Sequence, residues 1–398
     1  MRVITSLPLN IIARLALWGS KAAGNVLLFP GDDPGSLGDE AIMRGTIGQL
    51  RLRGANRIGI VRRRTRGIPI SYLGPDVKEE PIWNGAFSFI NVLRRYGVLV
   101  ILGADVMDGY YSERQSCELI TYANAAATWG RGAAILGCSF NNTPSASVCR
   151  SIGALHSEVV FSIRDPRSLE RFVAATGRSA KLAMDPAFLM EPSGPTPASG
   201  PCLDWIKNCK ASGGRVVGIC VNPIPFLNRR EGGRERFLSS VAGLVKAMTN
   251  EYCLLFIPHD YRQGVGDTEM LKALWEKLPE LAREKCRMMN ERLSAPEAKE
   301  ICGSLHAVIS GRLHLCIAAI GMAVPAFGFS YQNKFQGLFE LIHGDRRPML
   351  EAAQCLDEAK LRSAVFDFLA SRDKLQHQVA ERLPGVVAMA ADNFQFQL

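Results

Sequence analysis

Between Ala307 and Lys334 the chain reads AVISGRLHLCIAAIGMAVPAFGFSYQNK. The apolar run Ala307-Val308-Ile309 stops at Ser310-Gly311, and Arg312, Leu313 and His314 then open a helical pattern that ends at Gly321. A second apolar run, Val324 to Phe329, follows. Strand, turn, helix and strand in that order form a βαβ unit, whose crossover is right-handed by default. Few patterns restrict a chain more, because parallel strands need helices on both faces of their sheet. Arg312 and His314 then sit at the first turn of a helix, at the carboxyl end of a parallel strand. Ligands of open α/β sheets bind there, and the helix N-terminus favours anions. A guanidinium adds a planar fork for carboxylate or phosphate, and an imidazole adds a proton carrier. The plain competitor is a structural histidine in an apolar neighbourhood.

The same alternation recurs along the chain. Asn25 to Pro30 leads into the Gly-rich loop Gly31 to Gly38, followed by Asp39, Glu40 and the periodic residues Ile42, Ile47 and Leu50. The loop has neither the dinucleotide nor the P-loop spacing, so it is a weak phosphate signal. Asp39 is either a functional acid or a helix cap. Tyr96 to Leu102 is a strand that opens into Gly103-Ala104-Asp105-Val106-Met107-Asp108-Gly109-Tyr110-Tyr111. Acids beside tyrosines suit a sugar, so Asp105, Asp108 and Tyr110 are candidate sugar contacts. Ala133 to Cys138 and Val159 to Ile163 are further strands. The latter reaches Arg164, where Asp165 caps a helix with Pro166 at its first position. Arg164 is a candidate second anion clamp, the competing role being an ion pair with Asp165 or Asp185.

Glu191 to Pro201, EPSGPTPASGP, is the best linker in the chain. Beyond it Arg215 to Val221 and Cys253 to Ile257 are strands around a helix, Phe237 to Met248, and His259 stands at a strand end as a candidate ligand contact. The fold class is therefore α/β with two Rossmann-like domains. Residues 1–195 form the first, residues 196–345 form the second, and 346–398 are helices packing back on both.

Composition narrows the partners. Lys plus Arg exceed Asp plus Glu by 47 to 38, giving +9. Much of the excess lies in Arg51, Arg53, Arg57, Arg62, Arg63, Arg64 and Arg66, flanking a short strand, Ile58 to Val61, read as a solvated edge. No aromatics are interleaved, which argues against nucleic acid. Eleven cysteines without a C-x-x-C pair indicate neither a zinc knuckle nor a disulfide framework, and point to the cytoplasm. Ile11, Ile12, Leu15 and Trp18 share one face of an N-terminal helix. That face is expected to dock on the protein, with a peripheral contact at the inner membrane face as the other option.

Several motifs in order resemble the polysaccharide pyruvyl transferase family: GSLGDEAI (Gly35 to Ile42), FSIRDPRSLE (Phe161 to Glu170), MDPAFLM (Met184 to Met190), PHDY (Pro258 to Tyr261) and SGRLH with YQNK (Ser310 to His314, Tyr331 to Lys334). The resemblance implies an architecture like that of glycosyltransferase B. It also implies transfer of the enolpyruvyl carbons of phosphoenolpyruvate onto two sugar hydroxyls as a cyclic ketal, without metal or cofactor. It points to Arg164, Arg312 and His314, with Leu313 between the latter two, for the donor. On this basis the two arginines are expected to clamp donor carboxylate and phosphate, Lys334 to touch phosphate, and His314 to protonate the methylene. Asp39, Asp105 or Asp108 is left as base. The resemblance implies an acceptor side in residues 1–195 and a donor side in residues 196–345; the acceptor is a sugar or a lipid-linked oligosaccharide, and a homo-oligomer is open.

Two departures stand out. Leu37 replaces an Asn frequent in the family, and Gly103-Ala104-Asp105 replaces a glycine run, both in loops expected to face the acceptor. One competing function is a glycosyltransferase of the same architecture with a nucleotide-sugar donor. Another is a non-enzymatic basic protein that binds nucleic acid or membrane.

Overall fold

The computed structural model describes residues 7–20, 22–30, 35–62, 73–82, 85–224, 232–331, 334–344 and 348–398, with the side chains of Leu7 and Lys334 left out. The chain divides into two compact units. Unit 1 comprises Met1–Pro34, Ile42–Leu189 and Val387–Leu398, and unit 2 comprises Gly35–Ala41 and Met190–Val386.

Unit 1 is built on β1 (Asn25–Phe29), β2 (Arg57–Arg62), β3 (Val77–Pro81), β4 (Val98–Leu102), β5 (Gly132–Cys138), β6 (Val159–Ile163) and β7 (Lys181–Leu182). The strands lie in the order β3-β2-β1-β4-β5-β6-β7, every pairing parallel. In β4 all five residues are buried, as a strand covered by helices on both faces requires. Its helices are α1 (Leu7–Leu17), α2 (Leu37–Leu52), α3 (Ala86–Leu93), α4 (Glu113–Thr128), α5 (Ala146–Gly153) and α6 (Pro166–Thr176), the first turn of α2 falling in unit 2. One core runs from Leu9 and Ala13 of α1 through Phe89, Leu99 and Ile135 to Phe172.

Unit 2 follows the same plan. Its strands β8 (Arg215–Cys220), β9 (Tyr252–Phe256), β10 (Cys286–Met288), β11 (Ala307–Ser310), β12 (Ala326–Ser330) and β13 (Met349–Glu351) take the order β10-β9-β8-β11-β12-β13, again all parallel. Helices α7 (Gly200–Ala211), α8 (Gly233–Met248), α9 (Thr268–Glu276), α10 (Glu280–Arg283), α11 (Ala295–Gly303), α12 (Leu313–Ile320), α13 (Lys334–His343), α14 (Glu358–Ala370) and α15 (Arg372–Ala391) complete it, α15 running on into unit 1. Both sheets carry the doubly wound order with one reversal, between β1 and β4 in unit 1 and between β8 and β11 in unit 2. Ligands of such sheets bind outside the carboxyl ends of the strands at that reversal.

Three sequence expectations need correction. The arginine-flanked strand is β2, which lies between β1 and β3 rather than at an edge. The acids of the neighbouring segment neutralise its flanks, Arg51 pairing with Asp76 at 2.6 Å, Arg57 with Glu80 at 3.1 Å and Arg62 with Glu79 at 2.5 Å. Arg63, Arg64 and Arg66 lie outside the described residues. Secondly, the Pro- and Ser-rich stretch after Glu191 is fastened to unit 2: Ser193 N–H donates to Pro296 O at 3.3 Å, Thr196 bonds Glu297, and α7 begins at Gly200. Thirdly, α1 docks by the opposite face. Leu9, Ala13 and Leu17 are buried, while Ile11, Ile12, Leu15 and Trp18 face out. Among the described residues no helix is long and apolar enough to cross a membrane.

Candidate functional site

In unit 2 the turn after β11 is set by its own side chains. Ser310 Oγ accepts from Arg312 N–H at 2.8 Å, which holds Arg312 extended as the N-cap of α12, and Asn222 after β8 donates to Gly311 O at 2.5 Å. Ser310, Asn222 and Arg312 thus gather at the reversal of the sheet. The Arg312 guanidinium is buried and fixed by three oxygens. Its Nε donates to Asp267 Oδ1 at 2.8 Å, Nη2 donates to Val265 O at 2.6 Å, and Nη1 lies 3.0 Å from Asp260 Oδ2. Burial opposes its charge, and Asp267, Tyr331 and Asp260 outweigh that, so the group is held charged above its ordinary range. Asp267 is itself fully buried, and its other oxygen accepts the His259 N–H at 3.0 Å.

Gly35–Ala41 joins this cluster. Leu37 N–H donates to His259 O at 3.1 Å, Tyr261 N–H donates to Gly35 O at 2.8 Å, and Ser36 and Asp260 form an antiparallel bridge. The GSLGDE and PHDY motifs, far apart in sequence, therefore run side by side. The next residue, Gly38, lies against the His314 ring, where a Cβ would stand 2.4 Å from Nδ1. Only a residue without a side chain lets the helix turn and the imidazole share that space. Ser36 caps α2, its Oγ accepting the Asp39 N–H at 3.3 Å. Asp39 stands in the first helical turn, beside the glycine that lies against His314, where the helix dipole favours an anion.

His259 is 3% exposed, and neither ring nitrogen has a hydrogen-bond partner among the described residues. Burial first, then the charges of His314 and Arg312, hold its pKa well below the ordinary value, so the ring is neutral near pH 7. One donor and one acceptor are thus left unmade in a buried place, an arrangement that costs about 1–3 kcal/mol per group. Leu313, mostly buried, is the first residue of α12. Lys334 begins α13, its side chain lying outside the described residues. Unit 2 therefore brings together Asp39, His259, Arg312, Leu313 and His314.

Unit 1 holds the other candidates. Arg164 is buried at the end of β6, its Nε donating to Ser139 Oγ at 2.6 Å and its Nη1 to Asp185 Oδ2 at 2.6 Å. The structural ion pair foreseen for it is therefore made, with Asp185, and it joins the FSIRDP and MDPAFLM motifs. Burial opposes its charge, and Asp185, Asp105 and Asp165 together raise the pKa above the ordinary value. Asp165 caps α6 with Pro166 next, as the sequence predicts. Asp108 ties its own loop to the one after β5: it accepts from Tyr110 N–H at 2.9 Å and from Asn141 N–H and Nδ2 at 3.1 and 2.7 Å. Asp108 is also buried. Asp105 is half-buried and takes a bond from Tyr111 Oη at 3.2 Å, while Tyr110 stays half exposed with its ring edge-on to Tyr111 at 5.2 Å. Ala104 has φ +41°, the left-handed region in which glycine is favoured.

Sequence reasoning missed Asp260, Asp267 and Asn222. Asp267 sits in the stretch GVGDTE, which carries no apolar period, and only the fold sets it under Arg312.

The family profile described as polysaccharide pyruvyl transferase matches residues 37–333. No curated protein matches the chain. Among solved structures, a putative UDP-N-acetylglucosamine 2-epimerase from Listeria monocytogenes is 12% identical with a TM-score of 0.56, over 94% of this chain and 97% of that one. The UDP-GlcNAc 2-epimerase from Neisseria meningitidis, bound to UDP-GlcNAc, is 10% identical with a TM-score of 0.56, over 92% and 97%. A Medicago truncatula protein complexed with UDP-glucose is 10% identical with a TM-score of 0.53, over 94% and 99%. These likenesses establish the fold, two Rossmann-like domains of the glycosyltransferase B kind.

Proposed function

Since this chain belongs to the polysaccharide pyruvyl transferase family, we propose that it moves the enolpyruvyl group of phosphoenolpyruvate onto two hydroxyls of a sugar in a cell-surface polysaccharide or its precursor. The product is a pyruvate ketal, and inorganic phosphate is released. The observation that carries this reading is the Arg312 turn, where a buried, fully oriented guanidinium and an imidazole two residues on occupy the anion-binding end of a doubly wound sheet. Because Asp267, Asp260 and Val265 fix the fork before any ligand arrives, an anionic donor meets it without ordering cost.

In this mechanism His314 gives a proton to the terminal methylene, which becomes a methyl group. The central carbon takes on oxocarbenium character and forms a bond to the first sugar oxygen, whose proton passes to a base. In this reading the base is Asp39, in the same helical turn as Gly38. The carbon–oxygen bond to phosphate then breaks, phosphate departs with the electron pair and takes up the proton held by the base, and the second hydroxyl closes the ring as its proton returns to His314. His259, neutral and with neither ring nitrogen bonded among the described residues, offers one hydrogen bond to the donor beside His314 and Arg312. Arg164 serves the donor only if an arriving anion shares it with Asp185.

A nucleotide-sugar donor is the second reading, favoured by the fold shared with proteins solved with UDP-GlcNAc and UDP-glucose. Calorimetric titration of phosphoenolpyruvate and of nucleotide sugars into the wild type and Arg312→Ala separates the two. Saturable phosphoenolpyruvate binding that the substitution abolishes is the expected result. Binding of a nucleotide sugar, with none of phosphoenolpyruvate, would overturn it.

A further inference from the structure

Eleven large apolar side chains stand out as exposed among the described residues, and four of them belong to one short segment: Ile11 at 54%, Ile12 at 49%, Leu15 at 63% and Trp18 at 83%. Turning about 100° per residue, α1 and the turn after it place all four within an arc of about 120°. The opposite arc carries Leu9, Ala13 and Leu17, which enter the core.

The helix is held firmly by that buried side. Trp129 Nε1 donates to Asn10 Oδ1 at 2.9 Å, Arg14 Nε donates to Thr128 O at 2.9 Å, and Arg131 Nη2 donates to Leu17 O at 3.1 Å. An element fixed to the unit by one face and apolar on the other is not fraying sequence. It is a presented surface.

Charge says what the surface suits. Residues 1–31 contain Arg2, Arg14 and Lys21 and no acid. The segments packed beside α1 also carry basic residues: α3 is followed by Arg94 and Arg95, the latter paired with Glu80, and α4, which holds Glu113 and Glu118 in its first half, is followed by Arg131. The α3 helix also leaves Phe87 68% exposed. An apolar helical face with a tryptophan at its edge, in a segment that carries basic residues and no acid, has the composition of an interfacial helix and the charge that anionic headgroups attract.

We propose that α1 lays Ile11, Ile12, Leu15 and Trp18 into the headgroup boundary of an anionic phospholipid bilayer and so makes the protein a peripheral membrane protein. This stands apart from the donor chemistry, since none of these residues belongs to the Arg312 cluster. A membrane-held enzyme would meet a lipid-linked acceptor in two dimensions rather than three.

The test is co-sedimentation of the full chain with vesicles of phosphatidylcholine alone, or mixed in equal parts with phosphatidylglycerol, alongside light scattering of the free protein. Wild type should bind the mixed vesicles, more weakly as salt rises. Ile12→Gln combined with Leu15→Gln should lower the partition coefficient by on the order of 30-fold. Both sites are exposed, so an unchanged thermal unfolding curve shows that the variant is folded. The blue shift of fluorescence on vesicle addition should also shrink in Trp18→Phe. Failure of the wild type to bind mixed vesicles, or equal binding by the double variant, overturns the proposal. A wild-type dimer that the double variant dissociates, with no vesicle binding, overturns it too and assigns the face to a second copy of the chain.

Discussion

Gly38 leaves room for His314: a β-carbon on Gly38 would stand 2.4 Å from the imidazole Nδ1 and 2.7 Å from Cγ. The glycine of the Gly-Asp-Glu loop is therefore there for the histidine, and the pairing joins the first motif of the chain to the last. Gly38→Ala should displace His314 while favouring helix α2 by up to about 1 kcal/mol, since alanine is the better helix former. The expected outcome is a loss of transfer from phosphoenolpyruvate of at least about tenfold, with thermal unfolding within a few degrees of wild type. Steady-state kinetics beside calorimetric unfolding read both, and full activity in the folded variant would refute the positioning role.

Asp267 holds Arg312 with one oxygen and the His259 backbone with the other, all buried. Asp267→Ala strands a buried guanidinium with fewer partners and frees an amide. Stability should fall by about 3–5 kcal/mol, the usual cost of breaking a buried pair from one side. Urea unfolding followed by circular dichroism measures it, and a loss under about 1 kcal/mol would mean that Asp260 alone suffices.

Arg164 spans Ser139 and Asp185 with two nitrogens of one rigid fork. Arg164→Met leaves the Asp185 carboxylate buried without its counter-charge and should cost about 3–5 kcal/mol. Arg164→Lys keeps the charge and loses the fork, so its cost should be smaller, about 1–2 kcal/mol. Chemical denaturation of both variants gives the order, and a lysine variant as unstable as the methionine one would show that geometry outweighs charge.

His343 is buried near the end of α13, and burial first holds its pKa down to about 4; His259 is lowered in the same direction, also mainly by burial. Both are neutral when folded, whereas the unfolded chain takes up protons near the ordinary histidine value of about 6.5. Their contribution is complete above that pH and is lost as pH falls below it, at about 1.4 kcal/mol per pH unit for each histidine. Urea midpoints at pH 7 and pH 5.5 should show this loss. In His343→Leu the pH slope should shrink by one histidine's share, and an unchanged slope would rule His343 out as a source.

The Arg312 turn was legible because a strand, a small-residue turn and a helical period are local signals, as is the Asp165 cap with its following proline. Partners were not. Asp108 carries the right chemistry for a sugar contact, yet Asn141 and the Tyr110 amide consume its carboxylate, and nothing in its neighbours predicts that. The N-terminal helix shows the same gap in another form. Its period set out an apolar face, and the buried side proved to be the narrower one of Leu9, Ala13 and Leu17.

By itself the sequence determined the parallel α/β class, the order of strands and helices and the family motifs, because periodicity, turn chemistry and capping act over a few residues. The tertiary structure decided which motifs meet. Ser36 bridges Asp260, Gly38 seats His314, and Asp185 holds Arg164, each across a chain separation that no local preference spans. Such contacts depend on the register of whole sheets and on which buried charge finds its counter-ion. Those are settled only when the core closes and desolvation makes an unmade pair costly.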